Sequence, residues 1–347
     1  MKYVLGIETS CDDTSVAIVD EGGRVCANVV SSQVEEHAPF GGVVPELASR
    51  AHLSNLPRVM DKALADACLS LDRISAVAVT QGPGLIGSLL VGISFAKALA
   101  FARELPLIPV NHIRGHVRAL ALEFDPVPRP ALALIVSGGH THLFRWQPDD
   151  AIVLLTKTRD DAAGEAFDKL AKMLDLGFPG GPLVDRLAAE GDPRAFEFSM
   201  PRFRDGSADY SFSGLKTAAA MHLKRDPHAF RDLSGQRVKD LCASFQAAVV
   251  KHLLQRVKQA LKREPAEALL LGGGVACNSG LRRAFEALAK QAGLPAMMTS
   301  PVLSTDNAAM IAAEGWHLWR AGVTADWDLN PNVSLKAYDE VRFLANE

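Results

Sequence analysis

Several things are scarce in this chain, and each scarcity excludes a class of protein. Its 347 residues hold five cysteines, Cys11, Cys26, Cys68, Cys242 and Cys277, an odd number with no C-x-x-C pair. That speaks against a disulfide framework or a thiolate zinc cage and suits a reducing, cytoplasmic setting. No low-complexity tract interrupts the sequence, and the opening MKYVLGIETSCDD has only a four-residue apolar run, too little for a signal peptide. The longest apolar stretch, Leu85 to Ala102, has the length of a membrane span. It carries Lys97 and two serines and opens on a glycine turn, so a buried helix is expected instead. Charge of either sign is nearly balanced, at a net −3. Residues 222–263 are the exception: ten Lys/Arg against three Asp make them about +7 and leave about −10 for the rest.

What is present reads as a soluble two-domain globule, with 48% hydrophobic and 22% charged residues. The first thirty residues alternate as three short strands, with the polar turn Glu8-Thr9-Ser10-Cys11-Asp12-Asp13 between the first two. The same grammar returns at Ala131–Val136, the turn Ser137-Gly138-Gly139-His140, Thr141–Trp146 and 151–158. A repeat of about 130 residues suggests duplicated lobes rather than a solenoid, whose period is roughly 20–50. Helices and strands alternate after each meander, which predicts an α/β fold with mixed sheets flanked by helices. The expected division is an N-terminal lobe over 1–110, with 322–347 packing back on it. The C-terminal lobe over 111–321 would bind nucleotide and metal and carry a loop-rich insertion at 192–212.

Three turns have the composition of phosphate cradles: Glu8-Thr9-Ser10, Ser137–Thr141, and Leu271-Gly272-Gly273-Gly274 entering a helix. Two lie at equivalent points of the two copies, which points to a nucleotide held between lobes. The whole resembles the actin/hexokinase/heat-shock-ATPase class, with its active-site cleft between the lobes. A competing motif, Gly82-Pro83-Gly84-Leu85-Ile86-Gly87, matches the dinucleotide fingerprint. The next strand runs into Asn111-His112 instead of the required carboxylate, so a dinucleotide fold is not expected.

His112 and His116 are four residues apart and share a face if helical, where they can grip one metal; Asp306 in Ser304-Thr305-Asp306-Asn307 offers an oxygen ligand. A His-His-Asp set with open positions suits Fe(II) or Zn(II). A helix with two ordinary histidines explains the same spacing. A peptidase of the H-E-x-x-H type is disfavoured, because Ile113 stands where its Glu would be. Asp168, near the loop Phe178-Pro179-Gly180-Gly181-Pro182, and Asn278, after the triple glycine, are suited to hydrogen bonds with a ligand.

Read together, LGIETSCDDT, FGGVVPELASRAH, QGPGLIGSL, HIRGH, VSGGHTH, DDAAGEAFDKLAK, FPGGP, FSGLKTA, GGGVACNSGLR and STDNAAMIA resemble the tRNA N6-adenosine threonylcarbamoyltransferase family over nearly the whole chain. Asp13 departs from the Glu common there, and Ser304 from a frequent Cys. The resemblance implies a metal on His112, His116 and Asp306, Fe2+ first, with Zn2+ or Mg2+ as alternatives. It implies substrate contacts from Ile135, Val136, Ser137, Gly138, Gly139, Asp168, Gly181, Asp185 and Asn278. The donor would be threonylcarbamoyl-adenylate and the acceptor the tRNA adenosine beside the anticodon. Asp12 is expected to accept the proton, with Glu8 as a second catalytic carboxylate. A paralogous partner subunit and a small ATPase are the expected partners, and Lys251, Arg256, Lys258 and Lys262 the expected stripe for tRNA phosphates. An O-carbamoyltransferase on a small hydroxylated substrate and an inactive nucleotide-binding subunit are the alternatives. The intact histidines and triple glycine weigh against the second.

Overall fold

The computed structural model describes residues 1–201 and 203–341. They form two compact units, Met1–Pro126 with Val302–Ala337, and Val127–Pro301 with the chain from Tyr338. The first unit opens on β1 (Tyr3–Glu8), β2 (Asp13–Asp20) and β3 (Val25–Ser32), paired antiparallel. The short α1 (Val34–His37) and the long α2 (Pro45–Asp66) follow; α2 begins on a proline, whose missing N–H costs nothing in a first turn. Then come β4 (Ala76–Gly82), α3 (Ile86–Ala102), β5 (Leu107–Asn111) and α4 (His112–Glu123). The sheet order is β3-β2-β1-β4-β5, with β4 and β5 parallel to β1. Every residue of β1 is buried, as expected of a central strand covered on both faces. No described helix is long and apolar enough to cross a membrane.

The second unit repeats the plan. Its meander is β6 (Ala131–Val136), β7 (Thr141–Trp146) and β8 (Ile152–Lys157). Four helices follow, α5 (Ala163–Met173), α6 (Gly180–Ala188), α7 (Ser213–Arg225) and α8 (Gln236–Arg263). Next are β9 (Ala268–Gly272), α9 (Ser279–Ala292) and β10 (Ala296–Met298), and the chain then crosses at α10 (Pro301–Ser304), which lies in the first unit from Val302. The sheet order is β10-β9-β6-β7-β8-β11, where β11 (Glu340–Val341) is a short edge strand parallel to β8. Strands β6, β7, β8, β9 and β10 thus stand where β3-β2-β1-β4-β5 has β1, β2, β3, β4 and β5, which is the duplication legible in the sequence. Within 192–212 the described residues carry no helix or strand beyond bridge positions at Ser207 and at Tyr210, the latter pairing with Thr158; residue 202 lies outside them.

After α10 the first unit continues as α11 (Ala308–Arg320), which packs on β1, β2, β4 and α4. Gly6 permits this approach, because a Cβ there would meet the Ala308 carbonyl oxygen at 2.4 Å and the Ala312 nitrogen at 2.7 Å. The expected boundaries at 110/111 and 321 therefore differ from the observed units: α4 and α11 belong to the first. The physical reason is an ion triad. Glu314 of α11, 1% exposed, receives Arg114 Nε at 3.0 Å and Arg118 Nε at 2.8 Å from α4. The following segment lies on the same unit, with Ala325 N donating to Leu107 O at 2.8 Å and Asn332 N to Gln81 O at 2.9 Å. From Tyr338 it leaves to form β11, and 342–347 lie outside the described residues.

Candidate functional site

Asn111 ends β5 and starts α4. Its Oδ1 accepts from the Ile113 and Arg114 amides at 2.9 and 3.2 Å, a side-chain N-cap. Its Nδ2 donates to Leu335 O and Lys336 O, so the returning segment pins the helix start. The cap aims His112 and, one turn on, His116 inward, and both are buried. Asp306 lies just before α11, whose first turn is capped by Asn307 Oδ1 on the Met310 amide at 3.1 Å. The Nε2 atoms of His112 and His116 are 3.5 and 3.3 Å from Asp306 Oδ1. One donor atom from each residue lies within 4.8 Å of the others.

Neither ring nitrogen of His116 has a hydrogen-bond partner among the described residues, an unusual cost for a buried imidazole. Two imidazoles and a carboxylate converging on one point explain that cost if a divalent cation sits there, so the residues present fit a metal. Glu8 completes the arrangement. Its Oε2 accepts from Thr80 Oγ1 at 2.8 Å and from His112 Nδ1 at 2.9 Å, while Oε1 receives the Ser10 amide. With Nδ1 thus engaged, Nε2 of His112 is left to face Asp306. Burial works against a charged His112, but Asp306 and Glu8 outweigh it and raise the imidazole to about 9. Burial also works against the Glu8 charge, yet His112 holds that carboxyl below its usual range. Surroundings that favour a proton on His112 favour a metal in its place. Glu8, expected as a catalytic carboxylate, has its two oxygens against the Ser10 amide, Thr80 Oγ1 and His112 Nδ1.

Asp12 ends the β1–β2 turn and Asp13 opens β2. That turn is tethered by His52, whose Nε2 donates to Cys11 O at 2.9 Å while Nδ1 accepts from Thr14 Oγ1 at 2.8 Å. Burial, then the charge of Asp306, raises the Asp12 carboxyl against a bond from Cys11. Asp13 is pushed up to about 7 by burial first, against a hydrogen bond from Ser32, with Asp306, Asp12 and Glu8 adding to the rise. Its folded value lies above its unfolded one, about 3.9, so folding favours the protonated form. That stability is fully present below about pH 4 and is lost as pH rises through about 7. In metal-free protein, Asp13→Asn should therefore raise the melting temperature more at pH 8 than at pH 5. An increment that does not change across that range would reject the assignment.

In the second unit the expected substrate residues gather at the carboxyl ends of β6 and β9, where open α/β sheets bind ligands. Ile135 and Val136 close β6, with Ile135 in register with Gly272. Gly273 has φ +88° and lies so close to the Val136 carbonyl that a Cβ would meet its oxygen at 2.4 Å. The Ser137 carbonyl accepts the Gly164 amide and the Gly138 carbonyl the Glu165 amide, binding this turn to the start of α5. Asp168 Oδ1 accepts the Gly180 amide at 2.7 Å and so fixes the start of α6. Asp185 accepts both the amide and the hydroxyl of Ser279, at 3.0 and 2.9 Å. Asn278 Oδ1 caps α9 on the Leu281 amide at 2.9 Å, and its Nδ2 donates to Gln246 Oε1 at 2.8 Å. These three side chains hold a frame. Gly138, Gly139, Gly181 and Gly274 instead border open space, where an added Cβ would meet nothing within 4 Å.

A model of the family described as tRNA N6-adenosine threonylcarbamoyltransferase matches residues 24–313. A protein of that name from Trichlorobacter lovleyi is 51% identical over 335 residues, covering 94% of this chain and 97% of its own. The chain belongs to the tRNA N6-adenosine threonylcarbamoyltransferase family. A second member, from Geobacter metallireducens, is 50% identical over 331 residues, with 95% and 96% covered. By these names the chain is a transferase. Two solved structures share the threonylcarbamoyltransferase fold at low identity. HypF from T. kodakarensis aligns at TM-score 0.61 and 13% identity over 94% of this chain and 48% of that one. Component A of the (R)-2-hydroxyglutaryl-CoA dehydratase from Acidaminococcus fermentans aligns at 0.55 and 14%, over 93% and 100%. Both support the actin/hexokinase-type α/β fold expected from the sequence.

Other residues fall outside the motif reading. Glu46 and Arg50 form an exposed i,i+4 pair at 2.6 Å, an ordinary surface bridge. Arg256, expected to meet tRNA, is 2% exposed and donates to Asp209 O and Gln259 Oε1 instead. The Asn111 anchor and the Glu314 triad were invisible in the sequence, since their partners lie some two hundred residues away.

Proposed function

We infer that this chain transfers the threonylcarbamoyl group of threonylcarbamoyl-adenylate to the N6 amine of the adenosine beside the anticodon, in tRNAs reading codons that begin with A. The reading rests on the family match across residues 24–313. The amine forms a C–N bond to the carbamoyl carbon, the C–O bond to phosphate breaks, and AMP leaves with that electron pair. The proton from N6 passes to a carboxylate, which we assign to Asp12, because burial makes it a stronger proton acceptor than an exposed Asp. An exocyclic aromatic amine is a weak nucleophile, so positioning matters as much as acid–base help.

His112, His116 and Asp306 would hold a divalent ion, Fe(II) by donor type, with Zn(II) next and Mg(II) disfavoured by the two imidazoles. Such an ion supplies charge neutralisation and polarisation of a substrate oxygen. Glu8 keeps His112 turned so that Nε2 is the donor. In the second unit, the turn at Ser137–Gly139, the start of α6 at Gly181 and the Gly274 turn would offer backbone amides to the adenylate, held in place by Asp168, Asp185 and Asn278.

A paralogous subunit and a small ATPase are proposed partners. Leu53 of α2 and Ile86 and Leu90 of α3 are more than half exposed, with Gly87 against Ser49 between the helices, an apolar patch that would suit such a partner. The test is transfer from preformed adenylate to bulk tRNA, followed by nucleoside analysis, with and without those partners. One modified adenosine, formed slowly by the chain alone and fast with partners, is expected. No modified nucleoside in the complete mixture overturns the reading, and full-rate transfer by the chain alone removes the partner requirement.

A further inference from the structure

We propose that a cation-lined groove along α8 and α9 of the second unit is where the phosphate backbone of the RNA docks, an inference that rests on the chain acting on tRNA. The groove encloses about 1220 Å³. Small-molecule pockets hold roughly 300–1,000 Å³, so it has room for a segment of a larger ligand. Arg204, Lys251, Lys258 and Arg283 line it, and no Asp or Glu among the described residues does. All four are exposed, and none has a carboxylate partner among the described residues.

Elsewhere in the same unit Arg145, Lys169, Lys216 and Lys239 are each paired with an acid. Four unneutralised cations around one concavity repel each other and call for an external counter-charge. Lys251, Gln255 and Lys258 are spaced i, i+4, i+7 and so share one face of α8, with the two lysines about 10 Å apart along the axis. A row of separated point charges suits successive phosphates of a polyanion better than a single mononucleotide.

Position gives the second argument. Gln246 and Gly280 also line the groove. Gln246 is the residue that accepts from Asn278 Nδ2 at 2.8 Å, so the groove ends at the same helix start that borders the glycine-rich cradle. RNA lying along α8 is thereby brought to the side of the proposed adenylate site. Lys262, which does not line the groove, and the buried Arg256, which is engaged as framework, are not part of the docking row.

The experiment compares the full-length parent with a Lys251→Glu, Lys258→Glu, Arg283→Glu triple variant, using an unmodified tRNA transcript at several salt concentrations. The triple variant should bind at least about tenfold more weakly at low salt, with a log–log salt slope shallower by roughly two to three. AMP affinity by calorimetry should stay at the parental value, and Lys290→Glu, an exposed charge change elsewhere on α9, should alter tRNA binding less than about twofold. Parental tRNA binding by the triple variant overturns the groove assignment while leaving the transferase reading intact. Loss of AMP binding with tRNA binding retained would also overturn it, making the groove a nucleotide site. If the parent, with its partners, modifies no RNA, the transferase reading itself has failed.

Discussion

His112→Ala is expected to lose bound divalent metal and transfer activity together, the latter by at least about 100-fold, while the far-UV circular dichroism stays that of the parent. The substitution removes one of three converging donors, leaving His116 and Asp306, too few for a tight site. Glu8→Gln separates holding from orienting. It leaves all three donors but weakens the acceptor that fixes His112 Nδ1, so metal affinity should fall about 10–100-fold without vanishing. Elemental analysis and metal titration read both variants. A metal-replete, active His112→Ala enzyme would sink the site, and a Glu8→Gln variant as metal-poor as His112→Ala would make Glu8 a ligand in its own right.

The second large effect is on stability. Glu314→Ala should cost about 3 kcal/mol in urea unfolding, the low end of what removing one partner of a buried ion pair costs. The low end applies because the Arg114 and Arg118 side chains keep 17% and 13% of their exposure and recover some hydration. The loss should be accompanied by weaker metal binding, since the triad joins the helix carrying both histidines to the one that follows Asp306. Metal binds the folded state, so adding it should restore part of the lost stability. A loss below about 1 kcal/mol would show that the triad is an accessory to apolar packing between α4 and α11.

What the sequence made legible was whatever is local. The meanders β1–β3 and β6–β8 follow from apolar runs broken by short polar turns, and α3 from a long apolar stretch bounded by a glycine turn. The pair His112 and His116 was legible because a helical spacing is itself a geometric statement. Asp306 could be offered as a ligand only from its position before a helix, and the family resemblance was needed to choose it. Three things were not legible. The return of α11 to the first sheet depends on a contact between Gly6 and Ala308, which no periodicity announces. Arg256 lies in a basic run, and only its bonds to Asp209 and Gln259 show that it faces inward. Glu8 lies in a polar turn that suits catalysis, yet its carboxylate is taken up by Ser10, Thr80 and His112.

The route of the chain also sets an order of assembly during synthesis. Residues 127–301 contain all of the second unit except the chain from Tyr338, which adds the edge strand β11, so that unit can close while the ribosome is still working. The first unit cannot. Its sheet is made early, but its covering helix α11, the proposed ligand Asp306 and the segment that pins Asn111 are translated only after residues 127–301. The first unit is therefore begun before the second and completed after it, and His112 and His116 wait for Asp306 while the whole of residues 127–301 is made. A metal on these three side chains would be acquired only after Asp306 has been made. A ribosome-stalled chain ending before Val302 should hold nucleotide better than it holds metal.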